Sequence, residues 1–152
     1  MGSAEVGFWE AVDEIRSHDG RYRREAYGFV MGALGATVQA LPPERRRDPA
    51  TRHLSGQELL QGVIQLARSE FGRFAPVVFR EWGIACGEDV GRIVFLLVES
   101  RQLSARREDS IDDFRLAGDL FAALTANLDF GPARPSGERL GRLTRGEPGS
   151  AG

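Results

Sequence analysis

The sequence predicts a mainly α fold, a compact bundle of five to six helices. Residues 104–114 could form either a loop or a short β-hairpin, and with the hairpin the chain would contain a winged-helix-like segment. Apolar residues recur at helical spacing in six stretches between residues 5 and 127. The 152 residues are 41% hydrophobic and 28% charged, enough to build one core. Beyond Phe130 the chain is rich in Gly, Pro and Arg. We therefore expect one helical domain over 1–130 and a disordered tail over 131–152.

The first half of the chain predicts two helices and a loop. Residues 5–17 place four apolar side chains on one helical face, and His18-Asp19-Gly20 is a plausible end for that helix. From Tyr22 to Leu41 the pattern is helical and apolar on more than one face, so this helix should be central. Three prolines between Pro42 and Pro49 then predict a loop.

The second half predicts four further elements. They are a helix from the Ser55 region to Phe71, a short helix over 74–83 stopped by Gly83, a helix over 86–103, and a last helix over about 112–127. The apolar run at 93–98 is also compatible with a buried strand. Residues 104–114 are polar and could form a hairpin or an extended loop.

The sequence Ser55-Gly56-Gln57-Glu58 fits a capping box, in which the serine and the glutamate satisfy each other's backbone N–H groups. The cap explains Ser55 and Glu58 without any catalytic role. It does not explain Arg52 and His53, which precede it. They could form a surface pair, or they could contact an anion or a partner at the helix N-terminus.

Several chemistries find little support in the sequence. All 20 basic residues are arginine, so no lysine is available for a Schiff base or a P-loop. His18, His53 and Cys86 lack metal-ligand spacing, and we predict no metal and no cofactor. Two acids follow Cys86, and their negative charge would raise the pKa of its thiol. The acidic cluster at 108–113 lacks calcium-loop spacing and is interpreted as a solvated loop.

The chain has no predicted signal peptide, and its longest apolar run is far shorter than the roughly 20 residues of a membrane span. With one cysteine, no disulfide can form within the chain. These observations predict a soluble, cytoplasmic protein with no membrane partner.

Nucleic acid is an alternative partner. Three helices followed by a hairpin over 55–114 match the order of a winged-helix unit, with residues 89–103 as the reading helix. That helix begins with Glu88 and Asp89, and phosphate repels such a surface. The best basic patch, residues 45–47, is bracketed by acids, and the net charge is -2. Charge therefore disfavours nucleic acid.

Four blocks resemble a family of conserved hypothetical proteins, known mainly from planctomycetes and verrucomicrobia, that has no assigned function. The blocks are YRREAYGFV at 22–30, RHLSGQELL at 52–60, FGRFAPVVFREWGI at 71–84 and DVGRIVFLLVESRQL at 89–103. The resemblance covers roughly residues 8 to 124. It implies a glycine near Arg101 and an aromatic residue near Leu120, where this chain departs from the pattern.

By elimination, the sequence favours a non-catalytic protein-interaction or regulatory module with an unknown protein partner. Trp82, beside the break at Gly83, is a candidate interface anchor. The alternatives are a winged-helix-like nucleic-acid binder and a cryptic enzyme around His53, Glu58 and Cys86. The predicted contact surface consists of Arg46, Arg52, His53, Gln57, Glu58 and Trp82.

Overall fold

A computed structural model describes residues 3–49, 53–105 and 109–126. The described elements are helical. They are α1 (Ser3–His18), α2 (Arg24–Gln39), α3 (Pro43–Arg47), α4 (Gly56–Phe71), the 3-10 helix η1 (Gly72–Phe74), α5 (Ala75–Trp82), α6 (Gly87–Glu99), the 3-10 helix η2 (Ile111–Phe114) and α7 (Leu120–Thr125). The predicted mainly α fold is therefore confirmed. None of the described helices is long and apolar enough to cross a membrane.

Helix α2 is central, as its two-sided apolar pattern predicted. It packs against α1, α4, α5 and α6, and most extensively against α4. Ala26, Tyr27, Val30 and Ala33 are its buried residues. The contact with α4 is close because Gly62 faces Thr37, and a Cβ at Gly62 would lie 2.0 Å from the Thr37 hydroxyl oxygen. Among the described residues, the buried side chains of these helices form one hydrophobic cluster.

The short helix α5 ends as the sequence predicted. Gly83 has a φ of 90° and follows the last helical residue. The Ile84 N–H donates to the Phe79 carbonyl, and the Gly83 N–H donates to the Arg80 carbonyl, which is the Schellman arrangement. Both Ile84 and Phe79 are buried. The left-handed turn therefore directs the chain back into the core.

The segment 86–103 is a helix and not a strand, although it ends earlier than predicted. Helix α6 stops at Glu99 and closes with a second Schellman arrangement. Here the Gln102 N–H donates to the Leu97 carbonyl, and Arg101 takes the left-handed position at φ 66°. Glycine is the usual residue at this position, because a side chain there is strained.

The structure does not support the hairpin that was one of the two alternatives for residues 104–114. Within the described residues of this segment there is no strand, and residues 111–114 form η2. The Ser110 N–H donates to the Asp113 carboxylate at 2.8 Å, which starts a helical turn. Phe114 is buried against Gly91 of α6. The chain after α6 therefore folds back across the start of that helix, and the winged-helix-like segment is not supported.

Two other predictions need correction. The proline segment contains the five-residue helix α3, because Pro42 precedes the helix and Pro43 occupies its first turn, where proline is tolerated. The predicted helix over 112–127 is two shorter elements, η2 and α7. The Asp119 carboxylate accepts the Ala122 N–H at 3.0 Å and so caps the N-terminus of α7. The chain therefore starts a new helix at this point and does not continue one from η2. The predicted disordered tail lies outside the described residues.

Candidate functional site

The start of α4 is a corner held by a capping box and an ion pair. The Glu58 N–H donates to the Ser55 hydroxyl at 3.1 Å, and the Ser55 N–H donates to the Glu58 carboxylate at 2.9 Å. Arg45 donates to both oxygens of Glu58, at 2.5 and 2.7 Å, and to the carbonyl of His53 at 3.2 Å. The Arg45 guanidinium lowers the pKa of Glu58 to about 2, against some opposition from burial. The predicted cap is confirmed.

His53 contacts an acid far away in sequence. Its Nε2 lies 2.9 Å from an Asp109 carboxylate oxygen, and both side chains are largely buried. The pair lies at the wall of a cavity between α2, α4, α6 and η2. Among the described residues, no hydroxyl or thiol is in hydrogen-bond contact with the imidazole. The sequence contained both residues but no signal that would pair them, because 56 positions separate them.

Arg46 and Gln57 are engaged in internal contacts. Arg46 donates to the carbonyl of Gln39 at 2.9 Å, at the end of α2. Gln57 donates to the carbonyls of Asp113 and Arg115, both at 2.8 Å, and so ties α4 to η2. Both side chains therefore stabilise the fold at this corner. Arg52 lies outside the described residues.

Trp82, the last residue of α5, lies near the C-terminal end of α4, away from the corner at Glu58. It packs in a cluster of four aromatic rings with Phe29, Phe71 and Phe79, at centroid distances of 5.3 to 5.8 Å. Phe71 is 13 residues beyond Glu58 on the same helix, which corresponds to about 20 Å. Trp82 is half-buried, and it is not part of the corner at Glu58. The predicted contact surface therefore divides into two separate regions.

A buried polar network holds the loop between α1 and α2 against the start of α6. Asp89 is 7% exposed and accepts hydrogen bonds from the Tyr22 hydroxyl at 2.5 Å, the Arg92 guanidinium at 2.7 Å and the Ala85 N–H at 2.8 Å. Burial would raise the pKa of Asp89, but these donors outweigh it, so the pKa lies below its ordinary value. Burial and the hydrogen bond to Asp89 raise the pKa of Tyr22 to about 12. Sequence reasoning found the acid in the first turn but not its burial.

The three residues of the cryptic-enzyme hypothesis have different partners. Cys86 precedes α6 and lies 3.5 Å from the Asp89 carboxylate. Burial is the main cause that raises the pKa of its thiol, and the neighbouring acids add to the effect. His53 pairs with Asp109, and Glu58 pairs with Arg45. The thiol is thus held in its protonated, weakly nucleophilic form.

Two apolar side chains at the junction of η1 and α5 are exposed, Phe74 at the end of η1 and Val77 in the first turn of α5. Phe74 is 60% exposed and Val77 is 51% exposed. Arg73 lies over the Phe74 ring with its guanidinium carbon 5.6 Å from the centroid, and Arg80 lies over the Phe121 ring at 4.7 Å. Helical periodicity predicts that this segment is a helix with apolar side chains. It does not predict which of those side chains the rest of the fold covers. We refer to Arg73 and Phe74 of η1, together with Val77 and Arg80 of α5, as the α5 face.

Compared with known proteins, the chain matches no family model and has no significant match to a curated protein or a solved structure. The resemblance to a family of hypothetical proteins therefore stays a prediction. Within the described residues, no group of three or more His, Cys, Asp and Glu residues is arranged to hold a metal ion.

Proposed function

We propose that this chain is a non-catalytic protein-interaction module that binds its partner through the α5 face. The observation that carries the proposal is the exposure of Phe74 and Val77, the large hydrophobic side chains that the described part of the chain leaves open to solvent. Phe74 ends η1 and Val77 lies three residues further along, in the first turn of α5, a spacing that places side chains near each other on helical backbone. Burying such adjacent apolar side chains is a common source of binding energy at interfaces.

The charges beside this surface favour a particular partner chemistry. Arg73 and Arg80 flank the apolar pair. The nearby acid Glu81 is paired with another residue, because its carboxylate lies 3.8 Å from the Arg23 guanidinium. We therefore expect a partner protein whose contact surface is apolar at its centre and acidic at its rim. A symmetric contact between two copies of this chain would bring arginines of both copies to the same interface, and like charges disfavour that contact.

Trp82 supports the α5 face from behind. Its ring stacks on Phe79, a buried residue of α5, and contacts Phe29 of α2 and Phe71 of α4. This cluster fixes the orientation of a helix of only eight residues. A surface that is ordered before binding loses less conformational entropy when its partner docks. The proposed role of Trp82 is to position this surface.

The test compares capture of protein partners by the wild-type chain and by the double variant Phe74→Ser/Val77→Ser, from nuclease-treated lysate of the native organism. We expect a stoichiometric partner with the wild type and at least a tenfold loss with the variant, since interface anchors typically contribute more than 1 kcal/mol each. Phe74→Tyr keeps the aromatic ring and is expected to retain the partner. Circular dichroism checks that each variant is folded.

Four results would contradict the proposal. Three are equal recovery with the double variant, no stoichiometric protein partner, and recovery of the partner only from a parallel lysate that was not treated with nuclease. A fourth is a concentration-dependent dimer of the purified wild type, measured by light scattering, that the double variant abolishes. That result would mean that the α5 face binds a second copy of this chain.

A further inference from the structure

The last described part of the chain lies beside the α5 face. Helix α7 packs against both α5 and η1. The guanidinium carbon of Arg80, at the end of α5, is 4.7 Å from the ring centroid of Phe121, in the first turn of α7. At Ala126 the backbone leaves α7 in an extended conformation, with φ -62° and ψ 141°. The residues that follow therefore start close to the exposed side chains of Phe74 and Val77.

The first residues beyond the described chain are apolar and acidic. Residues 127–130 have the sequence NLDF, and the sequence predicts that the folded domain continues to residue 130. Four residues of extended chain span up to about 14 Å. The seven helical steps from Arg73 to Arg80 cover only about 11 Å. The side chains of Leu128 and Phe130 can therefore reach any part of the α5 face.

The spacing and the charge of this segment match the face. Side chains two residues apart in an extended chain project to the same side and lie about 6.5 Å apart. Cβ atoms three residues apart on helical backbone lie about 5–6 Å apart. Leu128 and Phe130 can thus contact both exposed side chains of the face at once. Asp129, between them, has the charge opposite to that of the two arginines that flank the apolar pair.

The other large apolar side chains beyond residue 126 match the face less well. They are Leu140 and Leu143, within a segment, 131–152, that contains four arginines and two glutamates. The arginines of the face repel a segment with excess positive charge. Charge therefore favours residues 128–130 over the leucines as the occupant of the face.

We infer that residues 128–130 dock on the α5 face of their own chain and that the protein partner must displace them, an inference that rests on the proposed function. A segment on so short a tether has an effective concentration of about millimolar or more. A contact too weak to join separate molecules can therefore cover the face within one molecule. The apparent affinity for the partner is then reduced by the fraction of molecules in which the face is free.

The intramolecular contact is tested by NMR on the purified full chain, without the partner. We expect nuclear Overhauser effects between the Val77 methyl groups and the Phe130 ring. The double variant Leu128→Ser/Phe130→Ser should lose them, and its Val77 methyl signals should shift. The control, Leu140→Ser/Leu143→Ser, also removes two large apolar side chains beyond α7, and its Val77 signals should keep their wild-type positions.

Three NMR results would overturn the inference. One is the absence of any contact between Val77 and Phe130 in the wild type. The second is an equal shift of the Val77 signals in the two double variants. The third is a contact that arises between labelled and unlabelled chains in a mixed sample, which would mean that the segment covers the face of a second copy. The methyl signals of the buried Val63 check that each variant is folded.

The competition is tested by titrating the captured partner against the same full-length variants. Leu128→Ser/Phe130→Ser should bind the partner about threefold more tightly than the wild type, or better, because its face is always free. Leu140→Ser/Leu143→Ser should bind as the wild type does. Equal or weaker binding by Leu128→Ser/Phe130→Ser would overturn the competition.

Failure of this inference and failure of the proposed function give different results. Undiminished capture by Phe74→Ser/Val77→Ser would contradict partner binding at the α5 face, and the NMR contact would still be observed. Absence of the NMR contact would contradict docking of residues 128–130, and Phe74→Ser/Val77→Ser would still lose the partner.

Discussion

Tyr22 and Tyr27 are both fully buried, yet their hydroxyl groups have opposite surroundings. The Tyr22 hydroxyl donates to the Asp89 carboxylate, whereas the Tyr27 hydroxyl has no hydrogen-bond partner among the described residues. Burial raises the pKa of each phenol to about 12. A buried polar group stabilises the fold only when its hydrogen bond is made, so these two tyrosines should respond differently to loss of the hydroxyl.

We expect Tyr22→Phe to lower the free energy of unfolding by about 1–3 kcal/mol, because it leaves the buried Asp89 carboxylate without one donor. Tyr27→Phe should leave the free energy of unfolding unchanged or raise it by up to about 1 kcal/mol, because it removes an unpaired group. Urea unfolding at neutral pH measures both values. Each variant is the control for the other, and equal losses would contradict this description of the network.

The ion pair at Glu58 makes stability depend on pH in a defined direction. Its pKa in the folded chain is about 2, below its ordinary value of 4.5. Its contribution is therefore fully present above about pH 4.5 and is lost as the pH falls toward 2. We expect the urea midpoint of the wild type to decrease over this range, and to decrease less in Glu58→Gln.

The control for this prediction is Glu70→Gln. Glu70 is exposed at the other end of α4 and forms no ion pair with any of the described residues. It should follow the wild-type pH dependence. If Glu58→Gln and Glu70→Gln had the same pH profile, the Arg45 contact would have no energetic consequence.

At the scale of elements, close packing around glycine decides where η2 lies. Gly87 is at the start of α6, and a Cβ there would lie 2.1 Å from the Phe114 carbonyl oxygen. That oxygen belongs to the backbone of η2 and cannot rotate away. Gly32, by contrast, is exposed in the middle of α2 and has open space where a Cβ would be.

We therefore expect opposite effects from two identical substitutions. Gly87→Ala should lower the free energy of unfolding by about 1–3 kcal/mol, because η2 must move away from α6. Gly32→Ala should raise it by about 1 kcal/mol, because alanine favours the helix. Thermal or urea unfolding measures both changes. Changes of the same sign would show that η2 does not pack on Gly87 as the structure has it.

The features that the sequence predicted correctly at this scale are local. The cap at Ser55 and Glu58 and the stop at Gly83 depend on a few consecutive residues, so the pattern is enough to locate them. Arg101 shows the limit of such patterns. Its left-handed φ depends on the hydrogen bonds that close α6, and an arginine gives no local sign of it.

At the scale of the molecule, the missed features depend on contacts between distant residues. The polar segment at 104–114 fits a hairpin or a loop by composition, but burial of Phe114 against α6 selects η2. The His53–Asp109 pair and the cavity beside it require α4 and η2 to meet. The exposure of Phe74 and Val77 depends on which face of α5 the aromatic cluster covers. Periodicity contains none of this information.

The molecule has a structural corner at the start of α4, a cavity beside it, and an open apolar surface at the α5 face. Binding through the α5 face is best tested by the ratio of partner captured by Phe74→Ser/Val77→Ser to that captured by the wild-type chain. We expect a ratio below about one tenth, with Phe74→Tyr close to the wild type. A ratio near one would contradict binding through the α5 face.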